Sequence, residues 1–194
     1  MIEQTLWERQ RSAARDEISR TALGLFLSQG FDATTIDQIV TAVGVSRRSF
    51  FRYFGTKEDI VLGDLVARGG VIAEAVAARP PDEGPWEALR AGFQSGAETT
   101  MPDVSAGLAL GKMLSETPSL RARLLEKRLR WQELLVPLIA ARLADESGTA
   151  NLRASAIVAS ALACLDAASE AWIASNGATD LAALYDEAVA AVRS

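Results

Sequence analysis

Turn-forming segments rich in glycine, proline and small polar residues constrain the fold of this chain more than any other sequence feature. They recur along its 194 residues and separate stretches in which apolar residues return at helical spacing, as at Ile18, Ala22 and Phe26. This spacing places apolar side chains on one face of an α-helix, and no segment sustains the alternation that a half-buried β-strand requires. We therefore predict an all-α fold of about nine helices.

The composition indicates a folded protein and disfavours several functional classes. Apolar residues make up 49% of the chain and charged residues 23%, as in ordinary globular domains. With no histidine and a single cysteine, Cys164, an internal disulfide is excluded and the usual metal and acid/base groupings lack their commonest member. No signal peptide is visible, and the longest uncharged apolar stretch, residues 154–165, is shorter than a membrane span. We expect a cytoplasmic protein that is not an enzyme and has no cofactor or metal.

Charge is distributed unevenly along the chain. Residues 1–57 contain eight basic and six acidic residues, a net charge of +2, whereas residues 58–194 contain twelve and nineteen, a net charge of −7. The segment from residue 46 to residue 57 has four cations and no acid. These cations are Arg47, Arg48, Arg52 and Lys57. A polyanion could contact this segment while the acidic remainder of the surface faces away from it.

Helix lengths divide the chain into two predicted domains. The first three predicted helices are short and closely spaced, whereas the later ones are longer. We predict a small helical domain over residues 1–56 and a larger helical domain over residues 57–194, with a fourth helix near Lys57 joining them.

Local signals in the smaller domain predict a helix-turn-helix. Gly30 suits the left-handed position after the end of a helix predicted over residues 12–29. Thr35 and Ser46 are suited to cap the second and third helices, because their side-chain oxygens can accept bonds from free backbone N–H groups. Gly44 permits a sharp turn between these helices, and two helices joined by a short glycine-containing turn form the helix-turn-helix arrangement.

The third helix separates two kinds of side chain. At about 100° per residue, Phe50 and Phe54 fall on one side, while Arg48 and Arg52 fall on the opposite side. The aromatic side would pack on the first two helices and leave the basic side facing outward. Such a helix can enter the major groove of DNA by its N-terminal end. Considered alone, an arginine-bearing amphipathic helix is more often a solvated surface helix.

The segment ALGLFLSQGFDATTIDQIVTAVGVSRRSFFRYFGTKEDIVLGDL, residues 22–65, closely resembles the DNA-binding domain of TetR-family transcriptional repressors. The resemblance rests on the glycine and aromatic residue that end the first helix, the double threonine before the second, the GVS turn, the YF pair near the end of the third and the lysine that opens the fourth. It implies an all-helical, two-domain subunit that binds double-stranded operator DNA and a small-molecule effector and forms a homodimer through its last two helices.

The resemblance also implies roles for individual residues. It assigns base reading to Arg47 and Arg48. It assigns phosphate or groove contacts to Ser49, Phe51, Tyr53 and Lys57. The predicted DNA-binding set is completed by Thr35, Ser46 and Arg52.

Two positions depart from the pattern of the family that the segment resembles. Residue 51 is usually tyrosine there; Phe51 keeps the ring but lacks the hydroxyl that would bond to phosphate, so it could contact a thymine methyl group or a sugar instead. Residue 48 is commonly small, and Arg48 could make a bidentate contact with guanine. We therefore expect a guanine-containing half-site.

Several features leave two interpretations open. Tyr53 could contact a phosphate, or its ring could pack in the core with the hydroxyl at the rim. Gly69 and Gly70, within a predicted helix, could form a hinge or permit close packing. Two groups of cations could bind a ligand or simply be solvated. The possible DNA-binding arm ahead of the first helix consists of Arg9, Arg11 and Arg15, and the possible anion-binding run consists of Arg121, Arg123, Lys127, Arg128 and Arg130.

The larger domain is predicted to hold the effector and the dimer interface. Large adaptable side chains are typical of ligand pockets, although each is more often part of a plain core. The candidate pocket residues are Trp86, Phe93, Met101, Leu108, Met113, Trp131 and Leu135. The eighth helix is apolar around most of its circumference, so we expect it to meet both its own core and a partner chain. The candidate interface residues are Ile157, Ala161, Cys164, Ala168, Trp172, Leu184 and Ala188.

Together these features predict a ligand-responsive transcriptional regulator. We expect a homodimeric repressor that binds a palindromic operator and releases it when a small, largely apolar ligand binds. One alternative is a helical small-molecule carrier or enzyme that uses the N-terminal helices as a docking module, and another is a helical adaptor protein. The sequence lacks histidine, a Gly-rich phosphate loop and paired metal ligands, which disfavours an enzyme.

Overall fold

The computed structural model describes residues 6–100, 103–143 and 148–194, and within these ranges the chain forms nine α-helices and no strand. The helices are α1 (Leu6–Gln29), α2 (Ile36–Val43), α3 (Arg47–Tyr53), α4 (Glu58–Ala77), α5 (Pro85–Thr100), α6 (Val104–Glu116), α7 (Pro118–Ala140), α8 (Ala150–Ala174) and α9 (Leu181–Arg193). The predicted fold class and number of helices are confirmed.

The chain divides into two compact units. The first unit comprises Met1–Asp64 and Met113–Arg123, and the second comprises Leu65–Lys112 and Leu124–Ser194. The helix-turn-helix therefore lies in the first unit, and α5, α8 and α9 lie in the second. The functional division predicted between residues 56 and 57 stays a prediction.

α1 begins at Leu6, earlier than the predicted start near Ser12. The intervening segment contains glutamate, glutamine and arginine and has no glycine or proline. These residues have good helix propensity, which extends the helix beyond the apolar pattern on which the prediction depended. Arg9, Arg11 and Arg15 consequently lie within α1 and not in a separate arm ahead of it.

The end of α1 follows the predicted pattern. Gly30 has a φ of 94°, and its N–H bonds to the carbonyl of Phe26 at 2.9 Å. Glycine adopts this left-handed conformation without the steric cost of a Cβ. The chain then folds back, so that the ring centroids of Phe26 and Phe31 lie 4.8 Å apart.

α2 and α3 are capped as predicted. Thr35 Oγ1 accepts a hydrogen bond from the Gln38 N–H at 3.2 Å, and Gln38 Oε1 accepts one from the Thr35 N–H at 2.7 Å, which completes a capping box. Gly44 has a φ of 76° at the end of α2. Ser46 Oγ then accepts a bond from the Ser49 N–H at 3.1 Å, at the start of α3. These contacts fix the turn between the two helices.

Apolar side chains from three helices form the core of the first unit. Ile18 and Phe26 from α1, Ile39 from α2 and Phe50 from α3 are each at most 2% exposed. Burial of one such side chain contributes about 1.5–3 kcal/mol. Packing of this kind stabilises α2 and α3, which are too short to be stable as isolated helices.

The second unit has its own core, which draws on α4, α5, α7, α8 and α9. Its buried residues are Ile72, Val76, Ala88, Leu89, Phe93, Trp131, Leu135, Ile139, Ala154, Val158, Ala161, Leu162, Cys164, Ala168 and Tyr185. Tyr185 packs edge-on against Phe93, with ring centroids 5.6 Å apart, and burial raises the pKa of its hydroxyl.

The two adjacent glycines of α4 have different surroundings. Trp131 of α7 donates from Nε1 to the carbonyl of Leu65 at 3.0 Å. A Cβ added to Gly69 would lie 2.6 Å from that Nε1, whereas nothing lies within 4 Å of a Cβ added to Gly70. Gly69 therefore permits the close approach of the indole, which favours the packing interpretation over the hinge at that position.

Candidate functional site

α3 presents one buried and one exposed face, as its sequence predicts. Phe50 is fully buried and Phe54 is 2% exposed, whereas Phe51 is 51% exposed. The rings of Phe50 and Phe51 meet edge to face, with centroids 5.4 Å apart. Arg48 and Arg52 are exposed on the outward side. The aromatic anchors thus hold the helix to its unit and leave the arginines accessible to a ligand.

Arg47 and Arg52, two of the predicted contact residues, are already engaged by neighbouring side chains. Arg47 forms a two-point salt bridge with Asp37 of α2 through its Nε and Nη2 atoms, and the Nη2 to Oδ2 distance is 2.7 Å. Arg52 donates from Nη2 to the hydroxyl of Tyr53 at 3.0 Å, and its guanidinium lies 5.0 Å from the centroid of that ring. In contrast, Arg48 forms no hydrogen bond or ion pair with any residue that the structure describes.

The two predicted caps lie at the surface of the first unit. Thr35 and Ser46 are exposed, and Ser49 is half-buried. The hydroxyls of Ser46 and Ser49 lie 3.0 Å apart and share a hydrogen bond. Because these hydroxyls and the first N–H groups of α2 and α3 lie at helix N-termini, they are suited to contact phosphate oxygens.

Lys57 has structural partners that the sequence did not predict. Its Nζ donates to the carbonyls of Phe31 at 2.8 Å and Thr34 at 3.3 Å, and it lies 4.4 Å from the centroid of the Phe31 ring. Since an ammonium group has three N–H donors, one donor remains for a phosphate. Thr56 and Asp59 cap the start of α4 with reciprocal hydrogen bonds of 2.8 and 3.3 Å.

We expect Arg48→Ala to relax base preference at one operator position while leaving the fold unchanged. Arg48 is exposed, so its removal costs little stability, whereas a bidentate contact with guanine contributes about 1–3 kcal/mol of discrimination. Binding to operators mutated one position at a time would measure this effect. An equal loss of affinity for every sequence would instead mark Arg48 as a phosphate contact.

The structure does not bring all predicted pocket residues together. Phe93, Trp131 and Leu135 belong to the core of the second unit, and Trp86 is half-buried against it. Leu108 is half-buried near Gly177. Met113 belongs to the first unit. Met101 lies outside the described residues.

The described part of the second unit contains at least two open clefts. One, of about 520 Å³, is formed by α5 and α9 and lined in part by Trp86, Val189 and Arg193. Arg90 and Asp186 face each other in it, with Nη2 and Oδ2 2.7 Å apart, and this hydrogen bond lowers the pKa of the Asp186 carboxyl. The other cleft, of about 410 Å³, is lined in part by three apolar residues. They are Val104, Trp172 and Leu181.

The basic residues of α7 have different contacts and do not form a single cluster. Lys127 is half-buried with its Nζ 4.3 Å from the centroid of the Trp131 ring, and burial lowers its pKa. Arg128 bonds to Asp166 and to the carbonyl of Ala159, both at 3.1 Å. The remaining members are Arg121, which is exposed, Arg123, which lies 3.8 Å from Asp59, and Arg130, which lies 3.4 Å from Glu133. A common anionic ligand for the whole run is therefore not supported by these contacts.

The predicted interface residues differ in how deeply they are buried in the second unit. Ala161, Cys164 and Ala168 are at most 2% exposed within the single chain. They face the core and offer no surface to a partner, which corrects this part of the predicted set. Four members of the set are half-buried. They are Ile157, Trp172, Leu184 and Ala188. The first, third and fourth of these also pack against the core and expose only part of their surface.

α8 is the helix, among the residues the structure describes, whose length and composition would allow it to cross a membrane. The mean hydropathy of an 18-residue window is 1.5, and 28% of that window is buried inside the chain. Core helices of soluble proteins can have the same length and hydropathy, so this composition is weak evidence for a membrane span. Within the same described residues, no group of three or more histidine, cysteine or acidic side chains is placed to hold a metal ion.

Comparisons with known proteins identify relatives of both units. Residues 18–63 match the family model described as bacterial regulatory proteins, tetR family, and residues 83–194 match the model described as the MftR C-terminal domain. The HTH-type transcriptional regulator TcmR of Streptomyces glaucescens is 34% identical over 143 residues, which cover 71% of this chain and 63% of TcmR. The chain thus matches less than two thirds of the length of that relative.

Two further relatives extend the comparison. The putative mycofactocin biosynthesis transcriptional regulator MftR of Mycobacterium tuberculosis is 27% identical over 137 residues, which cover 69% of this chain and 68% of that protein. The crystal structure of Thermus thermophilus FadR, a TetR-family repressor in complex with lauroyl-CoA, matches with a TM-score of 0.58 and 26% identity, over 90% of this chain and 91% of FadR.

Proposed function

The chain belongs to the TetR family of bacterial regulatory proteins, which are DNA-binding transcriptional regulators and not enzymes, and from this we propose that it is a cytoplasmic, homodimeric repressor. It binds a palindromic operator through α3 and releases the DNA when a small, largely apolar ligand binds the second unit. The observation that carries the proposal is the outward face of α3, where Arg48 and Phe51 are exposed beside the buried Phe50.

The contacts around α3 suit a division between base reading and phosphate binding. Arg47 and Arg48 lie in its first turn, the part of a recognition helix that reaches base edges. The remaining N–H of Lys57, together with the helix caps Thr35 and Ser46, can bind phosphates on either side. Phosphate contacts position the helix on the duplex, and base contacts determine which DNA sequence is preferred.

The proposed dimer uses the exposed surface of α8 and α9, including that of half-buried residues next to the core. In the single chain 28% of the apolar window of α8 is buried, and Leu152 of α8 and Val192 of α9 are 71% and 56% exposed. Exposed apolar surface of this extent favours burial against a partner. We propose that Ile157, Trp172, Leu184 and Ala188 contribute to a two-fold interface. Two-fold symmetry then requires a palindromic operator with half-sites about one helical turn apart or a multiple of it.

The proposed effector has an apolar body, because tryptophan and aliphatic side chains form part of the lining of both clefts in the second unit. The FadR structure contains lauroyl-CoA, a compound that combines an apolar chain with a charged head. The cleft beside Trp86 has a volume in the range of ligand sites. Effector and DNA must oppose each other with equal coupling free energy, so the ligand weakens DNA binding as much as DNA weakens ligand binding.

Selection of bound duplexes from random DNA tests the proposal, because it reveals the preferred sequence directly. We expect a palindrome that contains guanine in each half-site, and we expect the DNA upstream of the chain's own coding region to shift in a gel. A thermal-shift screen of apolar metabolites and acyl thioesters would then identify compounds that also release the DNA. Recovery of random sequence only would contradict the proposal.

A further inference from the structure

The salt bridge between Asp37 and Arg47 joins α2 to α3 at the outward surface of the helix-turn-helix. Asp37 lies in the first turn of α2 and Arg47 is the first residue of α3. Both carboxylate oxygens are used: Oδ1 accepts from Nε and Oδ2 accepts from Nη2. The side chains of Arg47 and Asp37 are 63% and 64% exposed, so the pair is accessible to a ligand at the surface that we propose contacts DNA.

This ion pair adds too little to the stability of the folded chain for stability to be its main role. An exposed ion pair contributes only about 0–1 kcal/mol to folding. The two-point geometry has a different consequence, because it favours one plane and direction for a guanidinium that would otherwise sample many rotamers. The side chain of Arg47 is therefore biased toward this orientation before any DNA is bound.

The contact with Asp37 leaves the outer edge of the guanidinium unoccupied. A guanidinium has five N–H donors, and the carboxylate takes one from Nε and one from Nη2. The remaining donors on Nη1 and Nη2 form the fork that matches guanine O6 and N7 in the major groove. One arginine can therefore bind Asp37 along its side and guanine at its end.

We propose that Asp37 is a specificity-determining positioning residue, which holds Arg47 in the geometry that reads guanine. This inference rests on the proposed function, since it concerns how α3 reads its operator. The carboxylate acts in a second way. Its negative charge repels DNA phosphates, and this repulsion lowers the affinity for any duplex in which Arg47 finds no guanine to bind. Asp37 thus weakens binding to non-operator DNA and directs Arg47 to one base pair in each half-site.

Asp37→Asn tests the inference, because it preserves the size of the side chain and removes its charge and one acceptor for Arg47. We expect the preference for guanine at one position of each half-site to fall about tenfold, while affinity for non-operator DNA rises. The same change in an Arg47→Ala background should have no effect at that position. Replacing that guanine by 7-deazaguanine, which lacks the N7 acceptor, should weaken wild-type binding and leave Arg47→Ala binding unchanged.

Asp32→Asn is the matched control, because Asp32 is an exposed acid of the same unit and has no contact with Arg47. It should raise affinity for all duplexes by a similar factor and leave base preference intact. If Asp37→Asn behaves like Asp32→Asn, the inference is overturned.

Thermal unfolding checks that each variant is folded, and Asp37→Ser replaces Asp37→Asn if the latter is unfolded. A wild-type protein with no preference among duplexes would contradict the proposed function itself.

Discussion

Substitution of Phe50 by alanine is expected to lower the free energy of unfolding by about 3–5 kcal/mol. The ring is fully buried, and its centroid lies 5.4 and 5.6 Å from those of Phe51 and Phe54. Removing it leaves a cavity where α3 meets the rest of the first unit, and the helix loses its main anchor. Urea denaturation followed by circular dichroism would measure the change.

Phe51→Ala is the matched control, at the adjacent position on the other face of α3. The side chain is 51% exposed, so its removal should change the free energy of unfolding by about 0.5 kcal/mol or less. In our account it instead weakens DNA binding, because the ring contacts a thymine methyl group or a sugar. Equal destabilisation by the two substitutions would show that the buried and exposed faces of α3 are misassigned.

Gly69→Ala is expected to destabilise the protein by roughly 1–3 kcal/mol, the usual cost of inserting an atom into a packed core. The new Cβ would lie 2.6 Å from Trp131 Nε1, so the indole must move away from its bond to the Leu65 carbonyl. Unfolding followed by tryptophan fluorescence would report this change as a shift in the midpoint of the transition and a change in its amplitude.

Gly70→Ala provides the control for Gly69→Ala within the same helix. Nothing lies within 4 Å of its added Cβ, and alanine is favoured over glycine inside a helix by about 1 kcal/mol. The two substitutions should therefore have opposite signs. Stabilisation by both would contradict the packing role of Gly69, and unchanged stability with an altered ligand response in Gly69→Ala would restore the hinge interpretation.

Local signals predicted the fold well because helices depend on neighbouring residues. The caps at Thr35 and Ser46 and the left-handed turns at Gly30 and Gly44 each involve contacts within a few positions, so they can be read from the sequence. The start of α1 was predicted too late. The apolar pattern begins later in the sequence than the helix does, and helix propensity alone extends α1 to Leu6.

The candidate site was predictable only in part, since its geometry depends on contacts between elements. Helical periodicity correctly placed Phe50 inside and Arg48 outside. No short-range pattern, however, indicates that Arg47 is bound by Asp37 on another helix or that Lys57 donates to carbonyls of the loop after α1. Both contacts arise from tertiary packing, which a single sequence does not reveal.

The second unit illustrates a different limit. α8 is apolar around most of its circumference, so its sequence does not indicate which side faces the core. The structure turns Ala161 and Cys164 inward, so the interface that we propose relies on residues of α8 and α9 that keep exposed surface. Large apolar residues such as Trp131 and Leu135 are equally suited to a core and to a pocket, and here they belong to the core.

The most direct test of the account is a fluorescence anisotropy titration of the wild-type protein with its selected palindrome and with a scrambled duplex over a range of salt concentrations. Our account predicts that the palindrome binds at least about a thousandfold more tightly. It also predicts that the logarithm of its affinity falls linearly with the logarithm of salt concentration, with a slope of about −0.9 for each phosphate contacted. Equal affinity for the two duplexes at every salt concentration would contradict the claim that α3 reads a DNA sequence.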